Sequence, residues 1–222
     1  MAGLGTIMSG GKFKGDRQEN DFYPTPFDAT LAFLLAEIEH IPFDEPVWEP
    51  ACGDGAICQV LHTQGYSTIA SDLINRGYGA GEINFLEQEE KKSKIIITNP
   101  PFNLAADFIK KAFDLECDYI AMFLKTPYWQ AASRYKLFKR RQLSAVYPLT
   151  WRPNFLGGSG STMEFSWFVW DKKRNVCKYE PLLKPAGGLL NLMAEDDDEA
   201  FNFISIGDIS KKILKEVGNK NE

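Results

Sequence analysis

The sequence predicts an α/β fold in which a mainly parallel, doubly wound sheet ends in an antiparallel edge hairpin. From residue 47 onward, short apolar runs alternate with helix-like stretches, which is the pattern of βαβ units with helices on both faces of a sheet. The last two apolar runs have no helical pattern between them. The Gly/Ser-rich segment Leu156 to Ser161 joins them, which favours a hairpin at the sheet edge.

The individual elements follow in chain order. An apolar stripe predicts a first helix from about Pro26. The parallel strands are expected at Val47-Trp48, Ser67 to Ala70, Lys94 to Thr98 and Asp118 to Leu124, and the helices between and after them at Ala56 to Gln64, Leu104 to Asp114 and Trp129 to Arg141. The hairpin strands are expected at Ser144 to Leu149 and Glu164 to Trp170.

Composition favours a single domain with appendages. Of the 222 residues, 44% are hydrophobic and 25% are charged, as in an average soluble domain that buries its core without disulfides. Residues 1–20 are expected to form a flexible arm, and residues 21–171 the domain that carries the chemistry. Residues 172–222 are expected to be a C-terminal extension with an acidic run, Ala194 to Glu199, and a possible helix, Ile204 to Val217.

Charge and cysteine usage exclude several classes of protein. Residues 195–222 carry eight acidic and four basic side chains, so this tail holds −4 of the formal net charge of −5. The nearly neutral remainder is compatible with a local basic surface. Four scattered cysteines and two histidines argue against a metal site. No apolar run resembles a signal peptide or a membrane span, so we expect a cytoplasmic protein that makes no membrane contact.

Two polar segments stand just after strand ends, where ligands bind in sheets of this kind. The segment Glu49 to Gly55 (EPACGDG) opens a helix, and its glycines let the backbone turn tightly beside a ligand. A carboxylate at Glu49 would repel a pyrophosphate but would suit a cationic ligand such as S-adenosylmethionine. Asp72 follows the next strand and can accept hydrogen bonds from both hydroxyls of a ribose.

The sharpest signal is the motif NPPF, Asn99 to Phe102, directly after the apolar run KIIIT. Two prolines fix the backbone and remove two amide donors, which leaves the carbonyl of Pro100 free to accept. Asn99 adds an amide oxygen, and Phe102 adds a stacking face. Two acceptors beside a ring are what an exocyclic amine on a planar base needs.

These segments resemble the amino-methyltransferases of nucleic acids, and in particular the small phage- or prophage-type DNA adenine-N6 methyltransferases. Asp21 to Pro26 (DFYPTP) is similar to that family's motif X, Glu49 to Gly55 to motif I, Asp72 to motif II, Ile83 to Leu86 to motif III and Asn99 to Phe102 to motif IV. The family often has Asp where this chain has Asn84. The resemblance covers about residues 21–171 and implies a Rossmann-like, S-adenosylmethionine-dependent methyltransferase fold.

The resemblance also implies a role for each motif. The cofactor S-adenosyl-L-methionine would be bound by Tyr23, Pro24, Thr25, Glu49, Pro50, Ala51, Gly53, Gly55, Asp72, Leu73, Asn84, Phe85 and Asn99. The catalytic residues would be Asn99, Pro100, Pro101 and Phe102. Asn99 and the Pro100 carbonyl would bind both hydrogens of adenine N6 and localise its lone pair, while Phe102 stacks on a base flipped out of the duplex. This scheme needs no metal, covalent nucleophile or histidine base.

A basic and aromatic run follows the strand Asp118 to Leu124, and it predicts a nucleic-acid surface, although such runs are also typical of a solvated helix face. The basic residues of this surface would be Lys125, Arg134, Lys136, Lys139, Arg140, Arg141 and Arg152, with DNA as the expected partner and RNA as the other possibility. The connections Thr126 to Gln142 and Pro153 to Thr162 are short for a recognition module, which predicts a short or degenerate target.

Three other functions stay open at this point. RNA adenine methyltransferases carry a similar NPPF/Y motif, and protein glutamine N5-methyltransferases present a planar amide to the same kind of pocket. A methyltransferase-like subunit could also bind nucleic acid without activity. The basic run disfavours the glutamine enzyme, and the intact Glu49, Asp72 and Asn99 disfavour the inactive subunit.

Overall fold

The structure is a computed structural model that describes residues 22–155 and 163–186. The predicted flexible arm, most of the hairpin connection, the acidic run and the helix at Ile204 to Val217 lie outside the described residues. No helix in the described part of the chain is long and apolar enough to span a membrane.

The described residues form one sheet with helices on both faces. Its strands are β1 (Val47–Glu49), β2 (Thr68–Ala70), β3 (Ile95–Thr98), β4 (Tyr119–Lys125), β5 (Ala145–Pro148), β6 (Phe165–Asp171) and β7 (Lys178–Tyr179). The helices are α1 (Phe27–Glu37), α2 (Ala56–Thr63), α3 (Ala105–Asp114) and α4 (Tyr135–Arg140), and short 3₁₀ turns cover Phe85–Glu87, Thr126–Trp129 and Ala132–Arg134.

The strand order is β2-β1-β3-β4-β6-β5-β7. The first four strands of this order are parallel, and β6 runs antiparallel to both β4 and β5. The expected α/β fold, with its mainly parallel sheet and its antiparallel hairpin, is confirmed.

Both faces of the sheet are buried, because consecutive side chains of a strand point to opposite faces. In β3, Ile95 and Ile97 pack in the core shared with α1 and α2, whereas Ile96 packs in the core shared with α3. A strand buried on both faces needs a continuous apolar run, and KIIIT is such a run.

The sheet continues beyond residue 171, where the sequence places its end. β7 pairs in parallel with β5, and Leu182 is 5% exposed in the core beside α1. Lys178 and Tyr179 of β7 are exposed, so no apolar run announces this strand in the sequence. Residues 178–182 are therefore packed against the domain.

The helix expected from Trp129 to Arg141 forms only over Tyr135–Arg140, and the expectation is wrong for the residues before it. Two 3₁₀ turns precede the short α4, and Ala131 between them has an extended backbone (φ −132°, ψ 124°). Tyr128 is buried, and its ring packs edge-on against Phe168 with the ring centroids 6.3 Å apart. Arg134 donates a hydrogen bond to the carbonyl of Tyr128. Packing against the sheet, rather than helical periodicity, sets the path of this segment.

A buried ion pair holds α1 to the sheet. The Glu37 carboxylate is fully buried and accepts two hydrogen bonds from Arg174, at 2.8 and 2.7 Å. The hydroxyls of Tyr119 and Tyr147 donate to the same carboxylate. Burial raises the pKa of Tyr119 well above its usual value, so this phenol stays a donor. Because Tyr119 is the first residue of β4, the network lies at the amino-terminal ends of the parallel strands.

Candidate active site

A cavity of about 410 Å³ lies at the carboxyl ends of β1, β2 and β3, the edge at which open α/β sheets bind ligands. It is lined by Pro100, Pro101 and all but one of the residues expected to hold the cofactor, namely Tyr23, Pro24, Thr25, Glu49, Pro50, Ala51, Gly53, Asp72, Leu73, Asn84, Phe85 and Asn99. The volume is that of a small-molecule site. The fold thus gathers motifs that are far apart in the sequence around one cavity.

The loop after β1 enters α2 through two glycines with left-handed backbone, at φ +57° for Gly53 and +89° for Gly55. A Cβ at Gly53 would lie 2.5 Å from the Phe22 ring, and a Cβ at Gly55 would lie 2.5 Å from the Tyr78 ring. Both the backbone conformation and the crowding exclude larger residues. Gly55 is the N-cap of α2 and shapes the loop without lining the cavity.

Glu49 ends β1 with a carboxyl group that is only 1% exposed. Its Oε1 accepts hydrogen bonds from the N–H of Ala51, at 3.2 Å, and from the hydroxyl of Thr98. Its Oε2 is buried without a hydrogen-bond partner. Burial raises the pKa of Glu49 to about 8, so the group holds a proton at neutral pH when no cation faces it. The ammonium group of S-adenosylmethionine would satisfy Oε2, and the residues present therefore fit this cofactor.

Asp72 joins two loops that border the cavity. Its Oδ2 accepts from the N–H of Gly53 and its Oδ1 from the N–H of Ile74, both at 2.8 Å. Each carboxylate oxygen can accept a further hydrogen bond, so hydroxyls of a ribose can still be bound. The sequence predicts only a ligand-binding role for Asp72, and the structure adds that its side chain holds the glycine loop in place.

Asn84 and Phe85 form the wall that follows β2. Asn84 caps the 3₁₀ turn: its Oδ1 accepts from the N–H of Leu86 at 3.0 Å and its Nδ2 donates to Glu87 at 2.8 Å. Phe85 is 2% exposed and packs edge-on against Trp48 at 5.1 Å. Asn84 thus shapes this turn, and Phe85 contributes an apolar wall to the cavity.

Asn99 follows β3 and is bonded to the segment that precedes α1. Its Nδ2 donates to Thr25 Oγ1 at 3.0 Å and to the carbonyl of Tyr23 at 3.3 Å. Its Oδ1 is buried and has no hydrogen-bond partner. The cavity is therefore bordered by a second unsatisfied acceptor, next to Pro100.

Phe102 lies beside the cavity and does not line it. Its ring is nearly parallel to the Tyr23 ring, with centroids 5.7 Å apart and an angle of 17° between the planes. The Lys125 ammonium lies 5.0 Å from the Phe102 centroid. The sequence predicts an open stacking face here, but Tyr23 covers part of it.

The seven basic residues expected to form one surface do not lie together. Arg140 pairs with Asp114 at 2.7 Å, and Arg141 donates to the carbonyls of Cys117 and Asp118 at 2.7 and 2.6 Å. Residues 117 and 118 directly precede β4, so both arginines lie at the amino-terminal ends of the parallel strands. The cavity lies at the carboxyl ends, so the expected surface near the site does not include them. The cause is that the chain folds back along the sheet between Trp129 and β5.

The other basic residues are placed differently. Arg134 is packed over the Tyr128 ring, at 3.9 Å from its centroid. Lys125 ends β4 beside Phe102, on the cavity side of the sheet. Lys136, Lys139 and Arg152 are exposed to solvent. The accessible positive charge therefore comes from fewer residues than the sequence indicates.

Sequence reasoning missed two residues at this site. Thr98 is fully buried and donates to Glu49. The sequence feature that could have indicated it is a polar residue at the end of an otherwise apolar strand. Arg76 lines the cavity with its guanidinium 4.1 Å from the Phe22 centroid, and its Nε has no hydrogen-bond partner. Arg76 stands in a loop without pattern, so nothing in the sequence pointed to it. Among residues 22–155 and 163–186, no group of three or more His, Cys, Asp or Glu could hold a metal ion.

Comparison with solved structures shows that the fold is the Rossmann-like methyltransferase fold. The chain is similar to a presumed RNA methyltransferase from Pyrococcus horikoshii, with a TM-score of 0.56 and 18% identity over 76% of this chain and 96% of that one. It is also similar to a type I restriction-modification methyltransferase subunit from Streptococcus thermophilus, with a TM-score of 0.55 and 9% identity over 80% of this chain and 54% of that one. A third similar structure is the M protein of the type I restriction enzyme EcoKI, with a TM-score of 0.50 and 14% identity over 72% and 48%.

The chain spans about half the length of the two restriction-system subunits. No family model and no curated protein matches the sequence.

Proposed function

We propose that this protein is a DNA adenine-N6 methyltransferase with S-adenosyl-L-methionine as its methyl donor. The observation that carries the proposal is a pair of buried, unsatisfied acceptors, Glu49 Oε2 and Asn99 Oδ1, on residues that line one cavity. Buried polar atoms without partners are rare, and a ligand that supplies donors is one explanation of them. The first acceptor belongs to a carboxyl group suited to a cation, and the second belongs to a neutral amide suited to an amine.

The residues around Glu49 match the shape and charge of the donor molecule. S-adenosyl-L-methionine, when bound, supplies a methyl group attached to a positively charged sulfur. Glu49 would accept from its ammonium group, and Asp72 would accept from its ribose. The glycine backbone at Gly53 would leave room for close approach, because a side chain there would meet the Phe22 ring.

Asn99 and Pro100 would act on the target amine. The lone pair of adenine N6 is delocalised into the ring, and two acceptors that bind both N–H groups favour a pyramidal nitrogen with a localised pair. Oδ1 of Asn99 is shielded from solvent, and Tyr23 covers Phe102. A base would therefore reach Asn99 Oδ1 only after a local movement of the side chains that cover it.

Nucleic acid is the proposed substrate class because Lys125 lies beside the site and Arg152, which follows β5, is exposed. DNA is favoured because two of the similar structures are described as subunits of type I restriction-modification systems. RNA is the second candidate, since the similar P. horikoshii protein is described as an RNA methyltransferase. A target within a duplex would have to be flipped out of the base stack.

We also propose that the target sequence is short or degenerate. The described connections near the cavity, residues 126–134 and 149–155, are too short to form a separate recognition module, which buries on the order of 600–1,000 Å² even at its smallest. Sequencing of DNA methylated by the purified protein tests this. A single motif with four or more fixed base pairs, at about 1–3 kcal/mol for each mismatch, would contradict the proposal.

The central test supplies the protein with S-adenosylmethionine labelled in its methyl group. Duplex DNA, single-stranded DNA, structured RNA and a protein extract are offered separately, and the products are digested and identified by mass spectrometry. We expect the label in N6-methyldeoxyadenosine. The Asn99→Ala variant is the matched control, because it should bind the donor and leave the DNA unlabelled.

The alternatives give different results in the same assay. If the label appears only in RNA, or only in glutamine of protein, that molecule is the substrate and DNA is not. Binding of nucleic acid without label in any pool would indicate an inactive, methyltransferase-like subunit.

A further inference from the structure

We infer that Thr25 is a positioning residue that anchors the Asn99 amide in the orientation that the carbonyl of Tyr23 selects. Its consequence for methyl transfer rests on the function proposed above. The geometry behind it does not, because the contact between the two side chains is a property of the fold.

The contact is buried and specific. Thr25 is 5% exposed, and its Oγ1 accepts a hydrogen bond from Asn99 Nδ2 at 3.0 Å. The second N–H of the same amide points to the carbonyl of Tyr23 at 3.3 Å. Both donors of Nδ2 are therefore used by the segment before α1, and Oδ1 is the end of the amide without a partner.

The chemistry of these partners decides which end of the amide is bound. A backbone carbonyl can only accept, so the carbonyl of Tyr23 must face Nδ2 rather than Oδ1. The prolines at positions 24 and 26 restrict the backbone on both sides of Thr25, which holds its hydroxyl and the Tyr23 carbonyl in fixed places. A flipped amide would set Oδ1 against the Tyr23 carbonyl, two acceptors facing each other.

The orientation matters because an amide has unlike ends. With Nδ2 bound as observed, Asn99 offers an acceptor to an incoming amine. After a half-turn about its terminal torsion, the Asn99 amide would present N–H groups to the N–H groups of the amine, and these two sets of donors would repel each other. The hydroxyl of Thr25 is the partner that can be removed by substitution, since the Tyr23 carbonyl belongs to the backbone.

The test compares two substitutions at Thr25. Thr25→Val keeps the shape and removes the acceptor, whereas Thr25→Ser keeps the hydroxyl. We expect Thr25→Val to lower the single-turnover rate of methyl transfer by up to about 100-fold, the cost of a misplaced catalytic group. The rate is measured at saturating S-adenosylmethionine, because Thr25 also lines the cavity expected to hold the donor. Thr25→Ser should restore most of the rate.

Thr30→Val is the matched control. Thr30 is fully buried in α1, and its hydroxyl has no hydrogen-bond partner. The same chemical change there should leave the rate unchanged. An equal loss of rate in both valine variants would show a general effect of the substitution and would overturn the positioning role.

A second readout needs no activity. The side-chain amide signals of Asn99 in a ¹⁵N-resolved NMR spectrum are identified by their absence in Asn99→Ala. We expect their exchange with water to be slow in the wild type and in Thr30→Val, and faster in Thr25→Val, because one of the two hydrogen bonds is removed. Unchanged signals in Thr25→Val would refute the hydrogen bond between Thr25 and Asn99. If no substrate is methylated at all, the proposed function fails, while these signals still decide the role of Thr25.

Discussion

Thr98 connects the two unsatisfied acceptors of the site, because its hydroxyl donates to the carboxyl group of Glu49 and its peptide continues into Asn99. The residue that suits a cation and the residue that suits an amine are thus coupled through the end of one strand. Since β1 and β3 are neighbours in the sheet, the backbone hydrogen bonds between them fix the spacing of both groups.

Asn99→Ala should abolish methyl transfer and leave donor binding nearly intact. The side chain serves the target amine, and loss of one aligned group that stabilises a transition state typically costs about 10²–10³ in rate. Single-turnover kinetics and calorimetry with S-adenosylmethionine measure the two effects separately. Asn175→Ala removes an exposed asparagine that follows β6 and serves as the control. Undiminished transfer by Asn99→Ala would remove the central assignment.

Asp72→Ala should weaken binding of S-adenosylmethionine. Losing charge-assisted hydrogen bonds typically costs ~1.5–3 kcal/mol. Because Asp72 also holds the N–H of Gly53, the variant should loosen the glycine loop as well. Hydrogen exchange at the Gly53 amide should therefore increase even without ligand. Calorimetry that gives an unchanged dissociation constant would contradict the placement of the ribose at Asp72.

The affinity for a cationic ligand should rise with pH. Burial raises the pKa of Glu49 from 4.5 to about 8, so near neutral pH the empty site must lose a proton before it can pair with a cation. Affinity should increase by up to about tenfold per pH unit below this pKa and level off above it. Glu49→Gln should bind more weakly and lack this dependence.

The stability of the empty protein should change in the opposite direction. The raised pKa of Glu49 means that its stabilising contribution is complete below pH 4.5 and is lost as the pH rises through about 8. Urea unfolding of the wild type and of Glu49→Gln at several pH values measures this. Parallel curves for the two proteins would show that Glu49 is ionised in the empty site.

Arg174→Ala should strongly destabilise the fold without a direct effect on the cavity. It leaves the fully buried Glu37 carboxylate without its ion-pair partner, which typically costs about 3–5 kcal/mol. Lys172→Ala removes an exposed lysine that pairs with Glu116 and Asp118, and it should change the urea midpoint far less. Equal midpoints for the two variants would indicate that water replaces Arg174 at the buried carboxylate.

Substitution of single basic residues should separate side chains that bind nucleic acid from structural ones. Arg152→Ala removes an exposed cation that follows β5, so it should lower DNA affinity and reduce the slope of log affinity against log salt concentration by about 0.9 for one lost phosphate contact. Arg141→Ala should instead lower thermal stability, because its guanidinium is bound to the carbonyls of Cys117 and Asp118. Fluorescence anisotropy over a series of salt concentrations makes this comparison. A normal salt dependence in Arg152→Ala would place the DNA surface elsewhere.

The α/β class, the parallel strands and the segments that line the cavity could be predicted from the amino-acid sequence. These features follow from local rules: apolar runs of strand length mark buried strands, glycine permits left-handed backbone, and proline restricts the backbone. The chemistry at Glu49 and Asn99 could be inferred because the carboxyl ends of parallel strands meet at one edge of the sheet.

Contacts between distant segments could not be predicted from the sequence. The hydrogen bond between Asn99 and Thr25 joins residues 74 positions apart, and neither residue type predicts the other as its partner. The position of Arg141, the strand β7 and the cover of Tyr23 over Phe102 depend on how distant segments pack, and the exposed residues of β7 carry no apolar signal. Periodicity reports which face of an element is buried, whereas the partner that buries it is chosen by the whole fold.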